Sequence, residues 1–169
     1  MCRLIWNLNV ANFLRRNFGH FVDRTVQCVT FRRGTQSVAV EAKDLRLLLS
    51  MGRVHHLTSL PRDVFGVAAT RFGLVNVLDP LSVNRGCQAP RGPRACVAVL
   101  GPRVSPNGKC VGIVFDHLGG LIDLTLLDRW KGPLGVIDTT IRGRRAAMSD
   151  GQNVFLLDTA SLVQRGLRL

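Results

Sequence analysis

Tyrosine is absent from this chain of 169 residues, glutamate occurs once, at Glu41, and aromatic residues make up 6% of the whole. So few aromatics weaken the case for a platform that grips single-stranded nucleic acid by stacking. One glutamate and four histidines leave a thin inventory of general bases. No glycine-rich phosphate loop, serine nucleophile elbow or dinucleotide fingerprint occurs. The five cysteines, Cys2, Cys28, Cys87, Cys96 and Cys110, are odd in number and form no Cys-x-x-Cys pair. That pattern excludes a disulfide framework and reads as reduced thiols of a cytosolic protein. With His55 and His56 they lack the closely spaced ligand pairs of structural zinc, so no metal site is expected. No apolar run approaches the roughly 20 residues that cross a bilayer.

What the chain does have is hydrophobic residues, 46%, against 20% charged, enough to fold one globular unit or two small subdomains sharing a core. Net charge is +12 and most of it is arginine. Such a balance permits attraction to nucleic acid or anionic lipid. The dense spots, Arg32-Arg33 and Arg142, Arg144 and Arg145, sit beside glycines and read first as solvated turns. Residues 1–25 have irregularly placed apolar groups at Leu4, Ile5, Trp6, Leu8, Val10, Phe13 and Leu14, followed by Arg15 and Arg16. An amphipathic helix lying on a membrane or partner and an irregular tail both remain open for this extension.

From Val26 the pattern becomes strand-like. TVQCVTF, a turn centred on Gly34, and SVAVEA predict a hairpin over 26–42. KDLRLLLSM sets Leu45, Leu48 and Leu49 at helical spacing behind Asp44 and predicts a short helix or turn. VFGVAATRFGLVNVLDP holds two strands ending at Asp79-Pro80. NRGCQAPRGPR, residues 84–94, reads as a loop and as the seam between two halves. ACVAVLG and CVGIVFD predict a second hairpin across a turn at PNGK, LIDLTLL and GVIDTTIRG add strands, and NVFLL precedes a helix capped by Asp158. Many short strands and little helix predict an all-β architecture of small barrels.

Asp79, Asp116 and Asp158 each close an apolar run, LVNVLD, VGIVFD and NVFLLD. A carboxylate placed there accepts hydrogen bonds from the turn or helix it introduces. Asp116-His117 resembles half of an acid–base pair, but neighbours along a strand face opposite ways. Asp116 and His117 are therefore expected to end a strand, with Gly119 and Gly120 reversing the chain, and no catalytic residue is expected.

The segment PRDVFGVAATRFGLVNVLDPL resembles the central motif of the CheW-like domain family of bacterial chemotaxis, with Pro61, Gly66, Arg71 and Asp79 in the family's places. KCVGIVFDHLGGLIDL is similar to its second hairpin at Gly112 and Asp116. SDGQNVFLLDTASLV is similar to its closing strand and helix at Gly151, Leu156, Leu157, Asp158 and Leu162, and CVTFRRGTQSVAVEAKDLRLLL to its opening hairpin. Coverage runs from about 26 to 165. The departures are Phe72, where the family has glycine, and Asn76, where it has proline. The resemblance implies a CheW-like domain over 26–169 built of two packed, five-stranded SH3-like barrels. It also implies a non-enzyme without cofactor: a cytoplasmic adaptor at membrane receptor arrays, binding the chemoreceptor's cytoplasmic tip and a CheA-type histidine kinase. Arg71 would support the receptor groove, with Val67, Phe72 and Leu74 as contacts. The alternative is a basic small-barrel protein that binds RNA or DNA.

Overall fold

The computed structural model describes residues 27–56, 61, 64–79, 90, 92–101, 109–123, 128–129, 136–138, 141–147 and 153–168. Expectations for residues 1–25, the PNGK turn and most of 84–94 lie outside them, as do the side chains of the 142–145 arginines.

The expected opening hairpin is β1 (Gln27–Arg33) and β2 (Gln36–Glu41), turning at Gly34, whose φ of +59° is left-handed. A 3₁₀ turn at Ala42–Asp44 leads to β3 (Leu45–Ser50), and a second at Met51–Arg53 leads to β4 (Val54–His55). Next come β5 (Val64–Thr70), β6 (Gly73–Leu78), β7 (Cys96–Leu100), β8 (Val111–Phe115) and β9 (His117–Asp123). The strands β10 (Asp128–Arg129), β11 (Val136–Asp138), β12 (Ile141–Ala147) and β13 (Asn153–Leu157) precede α1 (Thr159–Gly166).

The fold is all-β, as expected, in two curled sheets. One runs β10-β12-β13-β2-β1-β9 with β11 joined to β12, and the other runs β3-β7-β8-β6-β5-β4. Set aside the two- and three-residue strands β4, β10 and β11, and each sheet has five strands. The two share one plan. An antiparallel hairpin, β1-β2 or β5-β6, is joined through its second strand to a parallel neighbour, β13 or β8. That neighbour pairs antiparallel with β12 or β7.

The sheets are not successive halves of the chain. Residues 84–94 connect β6 to β7, two strands of the same sheet, so the seam expected there lies elsewhere. The chain enters the second sheet through Ala42–Asp44 and leaves it at Asp116. Composition at 84–94 carries no information about which sheet the flanking strands join.

Alternation along β7 and β8 explains how the sheets pack. Cys96, Ala98 and Leu100 with Val111, Ile113 and Phe115 face a core shared with Val29, Phe31, Val38 and Val40 of the first sheet. Val97, Val99 and Val114 face the interior of the second sheet, with Phe65, Ala68, Val75 and Val77. Both strands are buried on both faces, so they read as unbroken apolar runs. Phe31 stacks on Phe115 at 4.4 Å across the shared core. Helix α1 closes it with Leu162 and Val163, its buried positions Thr159, Leu162, Val163 and Gly166 tracing one helical stripe.

Two local expectations are corrected. Leu45–Ser50 is a strand rather than a helix. A register shift between Leu45 and Leu47 flips the alternation, putting Leu45 and Leu48 in the shared core and Leu49 in the second interior, which imitates helical spacing. Gly119 and Gly120 do not reverse the chain but lie within β9, where both oppose Thr30 in a bulge against β1. The Thr30 hydroxyl accepts from Gly120 N at 2.8 Å and donates to Gly120 O at 2.9 Å.

Candidate functional site

The strand-ending aspartates do structural work. Asp158 caps α1, accepting from Ser161 N at 3.2 Å and from the Ser161 hydroxyl at 2.6 Å. Asp79, at the end of β6, and Asp116, where the chain crosses between sheets, converge on Arg33 at the end of β1. Arg33 donates through Nε to Asp79 Oδ1 at 3.1 Å and through Nη2 to Oδ2 at 2.6 Å. Its Nη1 reaches Asp116 Oδ1 at 2.9 Å, and Asp116 Oδ2 accepts from Gly34 N at 2.6 Å. Arg33 is therefore buried, not the solvated turn residue its place beside Arg32 and Gly34 suggests. Burial pulls its pKa down, but the hydrogen bonds and charge of Asp79, then of Asp116, outweigh it and leave the net shift upward. The triad bridges the two sheets, and each of its four carboxylate oxygens accepts a hydrogen bond from Arg33 or from the Gly34 amide. His117 begins β9, half-buried.

His56 packs edge-on against Phe65 at 4.5 Å and His55 is exposed in β4. No group of three or more metal-ligating side chains occurs among the described residues. Cys28 and Cys96 are buried, and Cys110 is partly exposed.

The four residues singled out for partner binding lie together on the β5-β6 hairpin. Thr70 pairs with Gly73, leaving Arg71 and Phe72 as the loop. The Thr70 hydroxyl accepts from Phe72 N at 3.0 Å and donates to Gly73 O at 3.0 Å. Gly73, at φ +96°, supplies the left-handed conformation that returns the chain to the sheet. The turn's glycine thus stands one place after Phe72. Phe72 packs partly on the second interior, and the exposed Arg71 guanidinium lies over its ring at 4.9 Å.

Strand pairing sorts the remaining positions by face. Ala68 and Val75 point inward, whereas the pairs Val67 with Asn76 and Ala69 with Leu74 point outward. Leu74 is 80% exposed. Asn76, on the same outer face, donates from Nδ2 to Gly166 O at 2.8 Å and so ties the hairpin to the end of α1. The resemblance singles out Val67, Arg71, Phe72 and Leu74; Ala69 shares their outward face, as the alternation around Val67 implies. The end of α1 lies beside this face, a neighbourhood that no local pattern signals.

Among known proteins, no family model and no curated sequence matches this chain. Among solved structures, the scaffolding protein TtCheW from Thermoanaerobacter tengcongensis is similar, with a TM-score of 0.61 and 14% identity over 79% of this chain and 89% of that one. The fold is therefore CheW-like. No helix among the described residues is long and apolar enough to cross a membrane.

Proposed function

We propose that this chain is a non-catalytic chemotaxis adaptor that couples the cytoplasmic tips of membrane chemoreceptors to a CheA-type histidine kinase, working on the cytoplasmic side of receptor arrays. The observation that carries the reading is Leu74, 80% exposed on the hydrogen-bonded β5-β6 hairpin that carries Arg71, in a fold shared with a scaffolding protein. A leucine presented on an ordered strand suits one face of a helix, and a guanidinium at the rim can orient it through a carboxylate or carbonyl. Arg71, Phe72, Leu74 and Val67 form the contact surface in this reading. The titratable residues at the strand ends are committed to the Arg33 triad and the α1 cap, which favours holding partners over transforming a substrate.

The test is reconstitution with a chemoreceptor cytoplasmic fragment and a CheA-type kinase from one bacterium. The wild type should co-elute with both, and Arg71→Glu should lose the receptor fragment while keeping its own fold. A wild type that binds neither, yet binds RNA or DNA with an affinity falling steeply in salt, would replace this reading with the nucleic-acid alternative.

A further inference from the structure

Helix α1 is tied to the rest of the molecule at its two ends by side-chain hydrogen bonds that run to different places. At its start, Asp158 caps the helix through Ser161, and the hydroxyl of Thr159 goes instead to the carboxylate of Asp44, where the chain crosses from the first sheet to the second. The same crossing is fixed to β7, because Asp44 O accepts from Gly101 N at 3.0 Å. At its end, the last carbonyls of a helix have no partner within it. Val163 O and Arg165 O accept from Leu167 N and Arg168 N, and Gly166 O accepts from Asn76 Nδ2 at 2.8 Å. The motif this chain resembles has proline at the place of Asn76, and proline offers no side-chain donor.

Between these two pins the helix has little slack. Its buried stripe sinks Leu162, 1% exposed, into the shared core. Gly166 lies so close to β8 that a Cβ there would fall 2.7 Å from Val111 Cγ2. Eight residues at about 1.5 Å each make a body about 12 Å long, stiffened by its own backbone hydrogen bonds. A helix held in this way passes a displacement of one end on to the other, because close-packed contacts switch between arrangements rather than deform gradually.

We propose that α1 is a strut coupling the crossing at Asp44 to the β5-β6 hairpin, so that making or breaking the Asp44–Thr159 bond resets the Asn76–Gly166 bond and with it the seating of β6. Loss of the negative charge on Asp44 loosens the first pin, because Thr159 then donates to a neutral acceptor instead of an ionised one. The charged groups that face this carboxyl are Glu41 from β2, Lys43 beside it in the 3₁₀ turn and Arg46 from β3, and its contact on α1 is Thr159. Coupling is reciprocal, so whatever displaces Asn76 also shifts the titration of Asp44. The inference rests on the adaptor reading only in giving the hairpin a partner whose binding the strut modulates; the coupling itself lies within one chain.

The test uses the full chain, isotopically labelled for NMR, with no partner present, and reads the side-chain amide of Asn76. Thr159→Val removes the hydroxyl at nearly constant volume. It should move the Asn76 Nδ2 signals and speed their exchange with water by about twofold or more, while the amides of Phe31 and Phe115 in the shared core stay in place. Thr159→Ser, which keeps a hydroxyl, should restore the wild-type signals, and Asn76→Ala should in turn shift the amide of Thr159. In the wild type the Asn76 signals should also follow the titration of the Asp44 carboxyl as pH is lowered from about 7 to about 4, a response that Asp44→Asn should abolish. That titration decides the matter even if Thr159→Val fails to fold. Asn76 signals unmoved in a folded Thr159→Val chain, unmoved through the wild-type titration, or still titrating in Asp44→Asn would overturn the strut. No receptor fragment or kinase enters the measurement, so the adaptor reading can stand while this inference falls, or fall while it stands.

Discussion

Arg33 grips Asp79 through two parallel hydrogen bonds, 3.1 Å and 2.6 Å long, with side-chain exposures of 5% and 1%. One partner ends a strand of the first sheet and the other a strand of the second, so the pair fastens the two together at the rim of their shared core. Removing one member of a buried pair strands the other charge away from water, at a cost of about 3–5 kcal/mol. Arg33 keeps Asp116 at 2.9 Å when Asp79 is removed, so Asp79→Ala should lower the unfolding free energy in urea by an amount toward the lower end of that range. Replacing both, R33M with D79L, should be more stable than R33M alone, in which Asp79 is left buried without its cation. A single Asp79→Ala variant as stable as wild type would contradict the triad's structural role.

Asp44 joins the sheets at the other crossing, and its carboxyl is pushed above the ordinary aspartate range, chiefly by burial, with a hydrogen bond from Thr159 opposing the shift. A carboxyl whose pKa is higher folded than unfolded favours folding most below its unfolded pKa, and that contribution is lost as pH rises through the folded value. At neutral pH the protein therefore bears the cost of a partly buried charge. Asp44→Asn keeps an acceptor for Thr159 without that cost, so it should raise the melting temperature at pH 7. The gain should shrink toward zero as the pH is lowered below the unfolded pKa, about 4. Equal gains at both ends of a pH series of melting curves would refute the assignment.

Gly119 and Gly120 differ sharply despite standing side by side. A Cβ on Gly119 would meet the Thr30 hydroxyl and fall 3.0 Å from Thr30 O, while one on Gly120 would meet nothing within 4 Å. Gly119→Ala should break the Thr30 bridge and cost about 1–3 kcal/mol, in the range of overpacking substitutions. Gly120→Ala should stay within about 1 kcal/mol of wild type. Paired denaturation curves decide it: similar losses from both would mean the bulge is not built around Thr30.

These same residues show what the amino-acid pattern can and cannot disclose. Runs such as CVAVL and VGIVF announce strands because burial on both faces leaves nothing polar in them. Asp158 announces a helix start because its chemistry is local. Two adjacent glycines, however, look the same whether they serve a turn or a bulge, and only the Thr30 of a distant strand decides. Arg33 looks like surface because its carboxylates lie 46 and 83 positions away. At the candidate site, Arg71, Phe72 and Leu74 are neighbours in sequence and could be read together. The end of α1 comes beside them only through the bond from Asn76 to Gly166, which depends on how α1 lies across the second sheet.

Cys96 sits in the shared core, 1% exposed, and its thiol pKa is pushed up to about 12, first by burial and then by the charge of Asp116. Because the thiolate is the reactive species, this side chain should be inert to alkylating reagents at pH 8 in the native state. Cys110 is also raised by burial but is partly exposed, so it should be modified slowly under the same conditions. Mass-spectrometric mapping after iodoacetamide treatment should find Cys110 labelled and Cys96 untouched, with Cys96 reacting only as urea unfolds the protein. Cys96 labelling at a rate independent of urea would mean that the core between the sheets opens locally, and that the two barrels are joined more loosely than the Arg33 triad and the Phe31–Phe115 stack require.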